Sequence, residues 1–332
     1  MSPVPISGPL VVTMKLDPTG RAAVEAVLAG VAEVAYLEDV SDAGRAGVLR
    51  SAGTVLARHT GQELHRDEAS LIAQARLLQF VTAGIDFIPL GHFPETLPIA
   101  ANGGAYAEPM AEHALAMTLA AAKRLLIEHR KLEGGTFDQF RPNRMLAGAV
   151  CGLVGFGGIG VATARLMRAL GMTVHALNRS GRTAEPVDWI GTVADLDTLL
   201  AASDVVILGL PLTPATQGMI GPRELAQMKP DAILVNLARG EIVDEAALFA
   251  HLQAHPGFTA CIDAWWVEPV RHGRFEMGHP FMTLGNVIAS PHNSASVGGW
   301  RDTALRRAAE NVARVYRGEM PLHLVGVQER MR

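Results

Sequence analysis

Short apolar runs alternate with segments of helical period through most of the chain: LVVTM, PTGRAAVEAVLAG, AEVAYLE, a further helical segment, GTVLARH, DEASLIAQA and LLQFVTAG. Apolar runs too short for helices and too continuous for one-sided strands are those of a parallel sheet covered on both faces. The intervening amphipathic segments supply the covering helices, so the fold class is α/β. A Pro-rich connection, FPETLPIAANGGAYAEP, interrupts the series. One long helix is expected after it, from about Glu108 to Glu133, stopped by Gly134 and Gly135.

A second series follows: AVCGLVGF, a helix through Leu170, TVHALN, WIGTV, DVVILGLP, a helix near PRELAQM, AILVNLA, a helix near EAALFAHL, FTACIDAWW and NVIASPH. A chain of 332 residues, 49% hydrophobic, is too long for a single core and can fill two. The expectation is two doubly wound parallel-sheet domains. A Rossmann nucleotide-binding domain at 104–296 is inserted into a discontinuous flavodoxin-like substrate domain made of 1–103 and 297–332. A final helix from about Val297 to Arg317 returns to the first domain, and the cleft between the two is the expected ligand site.

Twenty-nine Lys and Arg against thirty-three Asp and Glu leave a net charge of −4 with no long basic run, which argues against nucleic acid as a partner. The two cysteines, Cys151 and Cys261, sit in apolar strand-like runs and give no disulfide framework, as in a reducing compartment. The start, MSPVPISGPLVVTMKLD, lacks the basic and long apolar regions of a secretory leader, and no run is long enough to span a membrane. A soluble cytoplasmic protein with a small-molecule partner is expected.

GLVGFGGIG places Gly155, Gly157 and Gly160 in G-x-G-x-x-G spacing between a strand and a helix. The first glycine makes the turn, the second lets a pyrophosphate approach the backbone, and the third lets helix and strand pack closely. The amides of Gly158, Ile159 and Gly160 then face the anion at the helix N-terminus. The next strand, TVHALNRSG, ends in Asn178, Arg179 and Ser180 where an acid would bind the adenosine ribose. A carboxylate there would repel a 2′-phosphate, whereas an arginine and a hydroxyl attract one, so NADP(H) is the expected cofactor, with NAD(H) possible.

Three residues at the C-terminal ends of late strands can carry chemistry: Arg239 in VNLARGEIVDE, Glu268 in DAWWVEP and His292 in ASPHNSA. A guanidinium binds a carboxylate in bidentate fashion, a histidine titrates in the working range, and a neighbouring carboxylate favours its charged form. That set suits hydride transfer to or from a 2-oxo or 2-hydroxy acid.

Taken in order, LLQFVTAGIDFIPL, NGGAYAEPMAEHALAMTLAAAKR, the glycine loop, NLARGEIVDEAAL, D-x4-EP and SPH resemble the D-isomer-specific 2-hydroxyacid dehydrogenase family over nearly the whole chain. That family includes glycerate dehydrogenases, glyoxylate and hydroxypyruvate reductases and formate dehydrogenase. The resemblance implies that Arg239 binds the substrate carboxylate and polarises the 2-oxo group, that His292 is the general acid in reduction and base in oxidation, and that Glu268 orients His292. It further implies that Ala83 and Gly84 offer backbone N–H groups to the substrate, that Asp263 meets the nicotinamide carboxamide, that the segment containing Leu210 and Pro211 runs past the cofactor, and that the protein is a homodimer.

Some positions depart from the pattern. Gly158 stands where many relatives place a polar residue, and Trp265 and Trp266 replace a less bulky pair, with core packing favoured over a pocket wall. His272, Glu276 and His279 in VRHGRFEMGHPF suggest a surface loop rather than a metal site, so no metal is expected. The leading expectation is an NADP(H)-preferring reductase of glyoxylate or hydroxypyruvate. The alternatives are an NAD-dependent D-2-hydroxyacid dehydrogenase and, from another class, a nucleotide-sensing binding protein without turnover.

Overall fold

The computed structural model describes residues 6–330; residues 1–5, part of the start expected to carry no leader, lie outside the described residues. The chain divides into two compact units, one made of the residues up to Tyr106 together with those from Gly298 on, the other of Ala107–Val297.

The first unit holds a five-stranded parallel sheet of β1 (Leu10–Val12), β2 (Val34–Tyr36), β3 (Thr54–Ala57), β4 (Leu78–Phe80) and β5 (Ile99–Ala100). Its order, β2-β1-β3-β4-β5, is that of flavodoxin-like doubly wound sheets. Side chains alternate across it with the period of two that a strand imposes. Leu10, Val12 and Leu56 enter one core with Val24, Leu28, Leu305, Ala308 and Val312 from the helices Pro18–Leu28 and Trp300–Tyr316. Val11, Val55 and Phe80 enter the opposite core with Leu49 and Ile72. The last long helix therefore packs in this unit, as its position after the inserted segment requires.

The second unit holds a seven-stranded parallel sheet of β6 (Val150–Val154), β7 (Thr173–Leu177), β8 (Trp189–Gly191), β9 (Val205–Leu208), β10 (Ile233–Asn236), β11 (Thr259–Ile262) and β12 (Val287–Ala289), in the order β12-β11-β10-β9-β6-β7-β8. The order reverses beside β6, the strand that feeds the glycine loop, which is the topological switch point at which such sheets bind ligands. Cys151 on β6 is in register with Val174 on β7 and with Val205 on β9, and these side chains share one core with Ala114, Met117 and Met167. Both cysteines are fully buried, which pushes the Cys151 thiol up to about 12 and raises Cys261 as well.

Three local expectations are corrected. The helix expected from Glu108 to Glu133 is two helices, Ala107–Ala122 and Leu125–Glu133. The Ala122 carbonyl accepts the amide of Arg144 rather than one from the next helical turn, and Arg124 turns left-handed at φ 54°. The Pro-rich connection contains β5, paired in parallel with β4 through Leu78 and Ile99. DEASLIAQA, read as helical, forms only a 3₁₀ turn, Glu68–Ile72. Among the described residues no helix is long and apolar enough to cross a membrane.

Candidate active site

The glycine loop is shaped by what a side chain would strike. Gly155 has φ 102°, and a Cβ there would lie 2.8 Å from the Gly209 carbonyl carbon and oxygen, so only glycine fits between β6 and the segment after β9. At Gly160 a Cβ would sit 2.4 Å from the Gly155 oxygen, which is the close helix–strand approach the motif requires. At Gly157 it would meet open space. Gly157 caps the helix Gly158–Ala169, whose first amides, those of Gly158, Ile159 and Gly160, have no acceptor within their own helix. Open space beside a bare backbone and a set of N-terminal amides fit a pyrophosphate. Across β9, Leu210 and Pro211 begin a turn that Thr216 organises, donating to the Pro211 carbonyl at 2.7 Å and accepting the Thr213 amide at 2.8 Å.

The end of β7 is more internally organised than its sequence suggests. Asn178 Oδ1 accepts the Ser180 amide at 3.0 Å, and its Nδ2 donates to the Arg182 carbonyl at 2.8 Å, an Asx-type turn that closes the loop. Ser180 Oγ lies within 3.2 Å of both Asn178 Oδ1 and the Arg182 oxygen. Arg179 is exposed at the tip.

Arg239, Glu268 and His292 follow three neighbouring strands, β10, β11 and β12. The His292 Nδ1–H donates to the Glu268 carboxylate with both oxygens at 2.8 Å, and Glu268 Oε1 also accepts the Trp265 amide at 2.7 Å. Burial alone would lift the Glu268 carboxyl. The hydrogen bond and charge of His292, the Trp265 amide and the nearby Arg239 outweigh burial and hold it below the usual carboxylate range. The imidazole is 32% exposed and the carboxylate 9%, so one face of the pair is reachable from solvent and the other is locked. His292 itself has φ 49°, a left-handed backbone uncommon outside glycine and concentrated at functional sites.

The loops carrying these side chains are braced against each other. A Cβ on Gly240 would lie 2.4 Å from the Trp265 carbonyl carbon, so the Arg239 loop rests directly on the backbone leading to Glu268. Arg271 pairs with Glu241 at 2.5 Å across the same contact. Asn236 holds the turn before Arg239, accepting the Ala238 amide at 3.1 Å and donating to the Arg239 carbonyl at 2.8 Å. The Arg239 Nη1 donates to the Ala238 carbonyl at 2.7 Å. Trp265 is buried and donates its Nε1–H to the Ser290 carbonyl at 2.9 Å, while Trp266 stacks on Phe281 with ring centroids 5.4 Å apart and donates to the Val243 carbonyl. Both tryptophans pack, in keeping with the reading favoured for them.

Asp263 is wholly buried and its carboxylate is occupied inside the protein. It accepts Ser290 Oγ at 2.5 Å and the amides of Asn293 and Ser294 at 3.2 and 3.3 Å, and its own carbonyl takes the His292 amide at 2.9 Å. His113, on the helix Ala107–Ala122, reaches Ser290 Oγ at 3.0 Å. Sequence reasoning did not single out His113, Ser290, Glu241 or Arg271 as partners of the site. The one available signal was the unusual density of hydroxyl and amide side chains in SPHNSAS. Ser294 Oγ is buried with no partner among the described residues, a polar atom left available for a carboxamide or similar group.

Ala83 and Gly84 belong to the first unit, in the half-buried loop after β4. Among the described residues neither of their amides has an acceptor. VRHGRFEMGHPF opens with a short helix, Pro269–His272, and His272 Nδ1 accepts the Glu268 amide at 3.0 Å; among the described residues no group of three acidic, histidine or cysteine side chains could hold a metal.

Residues 115–294 match the family model described as D-isomer specific 2-hydroxyacid dehydrogenase, NAD binding domain. The chain belongs to this family. It is 29% identical over 305 residues to a D-3-phosphoglycerate dehydrogenase of Methanocaldococcus jannaschii, covering 91% of this chain and 55% of that protein. A glyoxylate reductase of Aeropyrum pernix is 32% identical over 280 residues, with 78% of this chain and 80% of the relative covered. Among solved structures, a D-isomer specific 2-hydroxyacid dehydrogenase from Xanthobacter autotrophicus Py2 in complex with NADPH and MES superposes with a TM-score of 0.77 at 25% identity, over 96% of this chain and 98% of that one. The chain thus spans about half the length of the phosphoglycerate dehydrogenase it matches, and most of the length of the other two.

Proposed function

We propose that this family member reduces a small 2-oxo acid of the glyoxylate or hydroxypyruvate class to the 2-hydroxy acid, with NADP(H) preferred over NAD(H). The observation that carries the reading is the Glu268–His292 pair, held at 2.8 Å beside Arg239 on three adjacent strand ends. A bound nicotinamide supplies the hydride. Arg239 binds the substrate carboxylate through its planar fork and draws electron density from the 2-oxo group. With Nδ1–H committed to Glu268, the Nε2–H of His292 is the proton given to the carbonyl oxygen as C2 is reduced, and the same nitrogen takes a proton back in oxidation. In the first unit, Ala83 and Gly84 have backbone amides that no acceptor among the described residues takes, and these are available to a substrate carboxylate.

Because Asn178 is engaged in its own turn, preference for a 2′-phosphate rests chiefly on Arg179, with Ser180 Oγ as a second donor after rotation. The test is kcat/KM for NADPH and NADH with a panel of 2-oxo acids in one buffer and salt condition. The expected preference for NADPH is about tenfold to hundredfold, the worth of one charge-assisted contact. Asn178→Asp with Arg179→Ala should reverse it by opposing the phosphate and accepting from the ribose hydroxyls. Equal efficiency in the unaltered protein, or a preference for NADH, refutes the cofactor assignment. Absence of turnover with every oxo acid refutes the reductase reading. We further propose a homodimer, supported by the exposed Phe137, Phe140 and Met145 that follow the helix Leu125–Glu133.

A further inference from the structure

The first unit contains an open pocket of about 280 Å³ whose lining is drawn from that unit alone. Its chemistry is anion-binding. Arg58, directly after β3, and Arg301, in the first turn of the helix Trp300–Tyr316, stand at its rim, and both are exposed. Among the described residues no carboxylate pairs with the Arg58 guanidinium, and Arg301 meets only Asp17, at 3.8 Å and half in solvent, a distance and exposure at which an ion pair contributes little. Ala304 and Leu305 of the same helix give the pocket an apolar side.

Two further observations bear on what the pocket can bind. The Thr82 hydroxyl oxygen is buried there with no partner among the described residues, although the Thr82 carbonyl is satisfied by the Asn102 amide at 2.9 Å. A buried hydroxyl without a hydrogen-bond partner is costly, which favours a ligand group that can bond to it. Tyr106 stands beside it, its hydroxyl donating to the Val81 carbonyl at 3.2 Å. Burial raises the Tyr106 phenol and both arginines oppose the rise, so two cations act on one point inside the pocket. Thr82 also immediately precedes Ala83 and Gly84, whose unpaired amides are the carboxylate site of the function proposed above.

We propose that this pocket receives a second anionic group, a carboxylate or a phosphate, carried by the 2-oxo acid whose C1 carboxylate is bound at Ala83 and Gly84. The inference rests on the reductase reading and narrows it to dianionic substrates. A monoanion such as glyoxylate leaves Arg58, Arg301 and Thr82 unused, whereas a dianion gives each a partner.

The test compares kcat/KM for glyoxylate, oxaloacetate and 3-phosphohydroxypyruvate with NADPH, in the unaltered protein and in Arg58→Gln, Arg301→Gln and Thr82→Val. In parallel, calorimetry follows 3-phosphoglycerate binding with the nucleotide site saturated by NADP⁺, a readout that needs no turnover. One or both dianions should be preferred to glyoxylate, and whichever is preferred separates a carboxylate from a phosphate as the second group. That preference should fall about tenfold or more in either arginine variant and severalfold in Thr82→Val, with a matching loss of 3-phosphoglycerate affinity if phosphate is the group. If no dianion is preferred, or each variant lowers efficiency for all three acids in parallel, the second-anion site is refuted while the reductase reading stands. If no acid is reduced but 3-phosphoglycerate binds and the arginine variants abolish that binding, the reductase reading fails and the anion site survives. No turnover and no binding overturns both.

Discussion

Replacing Glu268 by Gln removes one charge and almost no volume, and the geometry sets what should follow. In the native site the carboxylate accepts the His292 Nδ1–H through both oxygens at 2.8 Å and the Trp265 amide at 2.7 Å. A glutamine has one acceptor and one donor. With its oxygen kept on the Trp265 amide, its NH₂ faces Nδ1, and the doubly protonated imidazolium loses its partner. A charge-assisted hydrogen bond contributes about 1.5–3 kcal/mol and a neutral one about 0.5–1.5, so the imidazolium loses about 1–1.5 kcal/mol of stabilisation. Reduction consumes the protonated form, so kcat/KM for 2-oxo acid reduction should fall by up to about tenfold, and by more at basic than at acid pH. Oxidation needs the neutral form, so it should be impaired less than reduction. Because Glu268 is held below the usual carboxylate range of about 4.3, its own protonation should not limit the native enzyme at mildly acid pH. NADPH affinity, measured by fluorescence titration, should not change. A fall that is the same at every pH and in both directions would show that Glu268 only shapes the loop.

Arg239→Lys keeps the charge and loses the planar fork, so KM for the oxo acid should rise and kcat fall together while NADPH affinity holds; loss of cofactor binding with oxo-acid affinity intact would refute the assignment. Gly160→Ala places a methyl group 2.4 Å from the Gly155 oxygen, and the forced separation of helix and strand should cost about 1–3 kcal/mol in denaturant unfolding and weaken dinucleotide binding, whereas Gly157→Ala, which points into open space, should weaken binding with little effect on stability. Asp204 accepts the Val150 amide at 2.8 Å and pairs with Lys229 at 2.9 Å, which outweigh burial and lower its carboxyl. Its contribution is therefore present above about pH 4 and lost as pH falls through its lowered folded-state value. Asp204→Asn should be destabilised by about 1.5–3 kcal/mol at neutral pH, with the gap to the unaltered protein closing in acid; a gap independent of pH would contradict the assignment.

The two sheets and the candidate acid–base pair were legible because they rest on strong local signals: β-branched runs such as VVIL, and glycines whose spacing follows from backbone contact. β5 was not, because two residues among prolines carry no period and Ile99 pairs only through a partner, Leu78, distant in sequence. The break at Arg124 was hidden for a related reason. An alanine-rich stretch favours helix throughout, and the amide that ends it comes from Arg144. Asn178 was readable as the absence of an acid but not as the residue that closes its own turn. The occupation of Asp263 by Ser290, Asn293 and Ser294 depends on a loop folding back onto a strand end, which no local pattern encodes.

Arg239, Glu268 and His292 are each hung from a different strand, and β10, β11 and β12 are consecutive neighbours in the sheet. Main-chain hydrogen bonding fixes adjacent strands about 4.8 Å apart whatever side chains they carry. The sheet thus works as a ruler, setting the spacing of these three side chains by a dimension that mutation of the covering helices cannot rescale. Heat should accordingly find no intermediate setting: the spacing persists until the strands part, so thermal inactivation and loss of secondary structure should follow one curve.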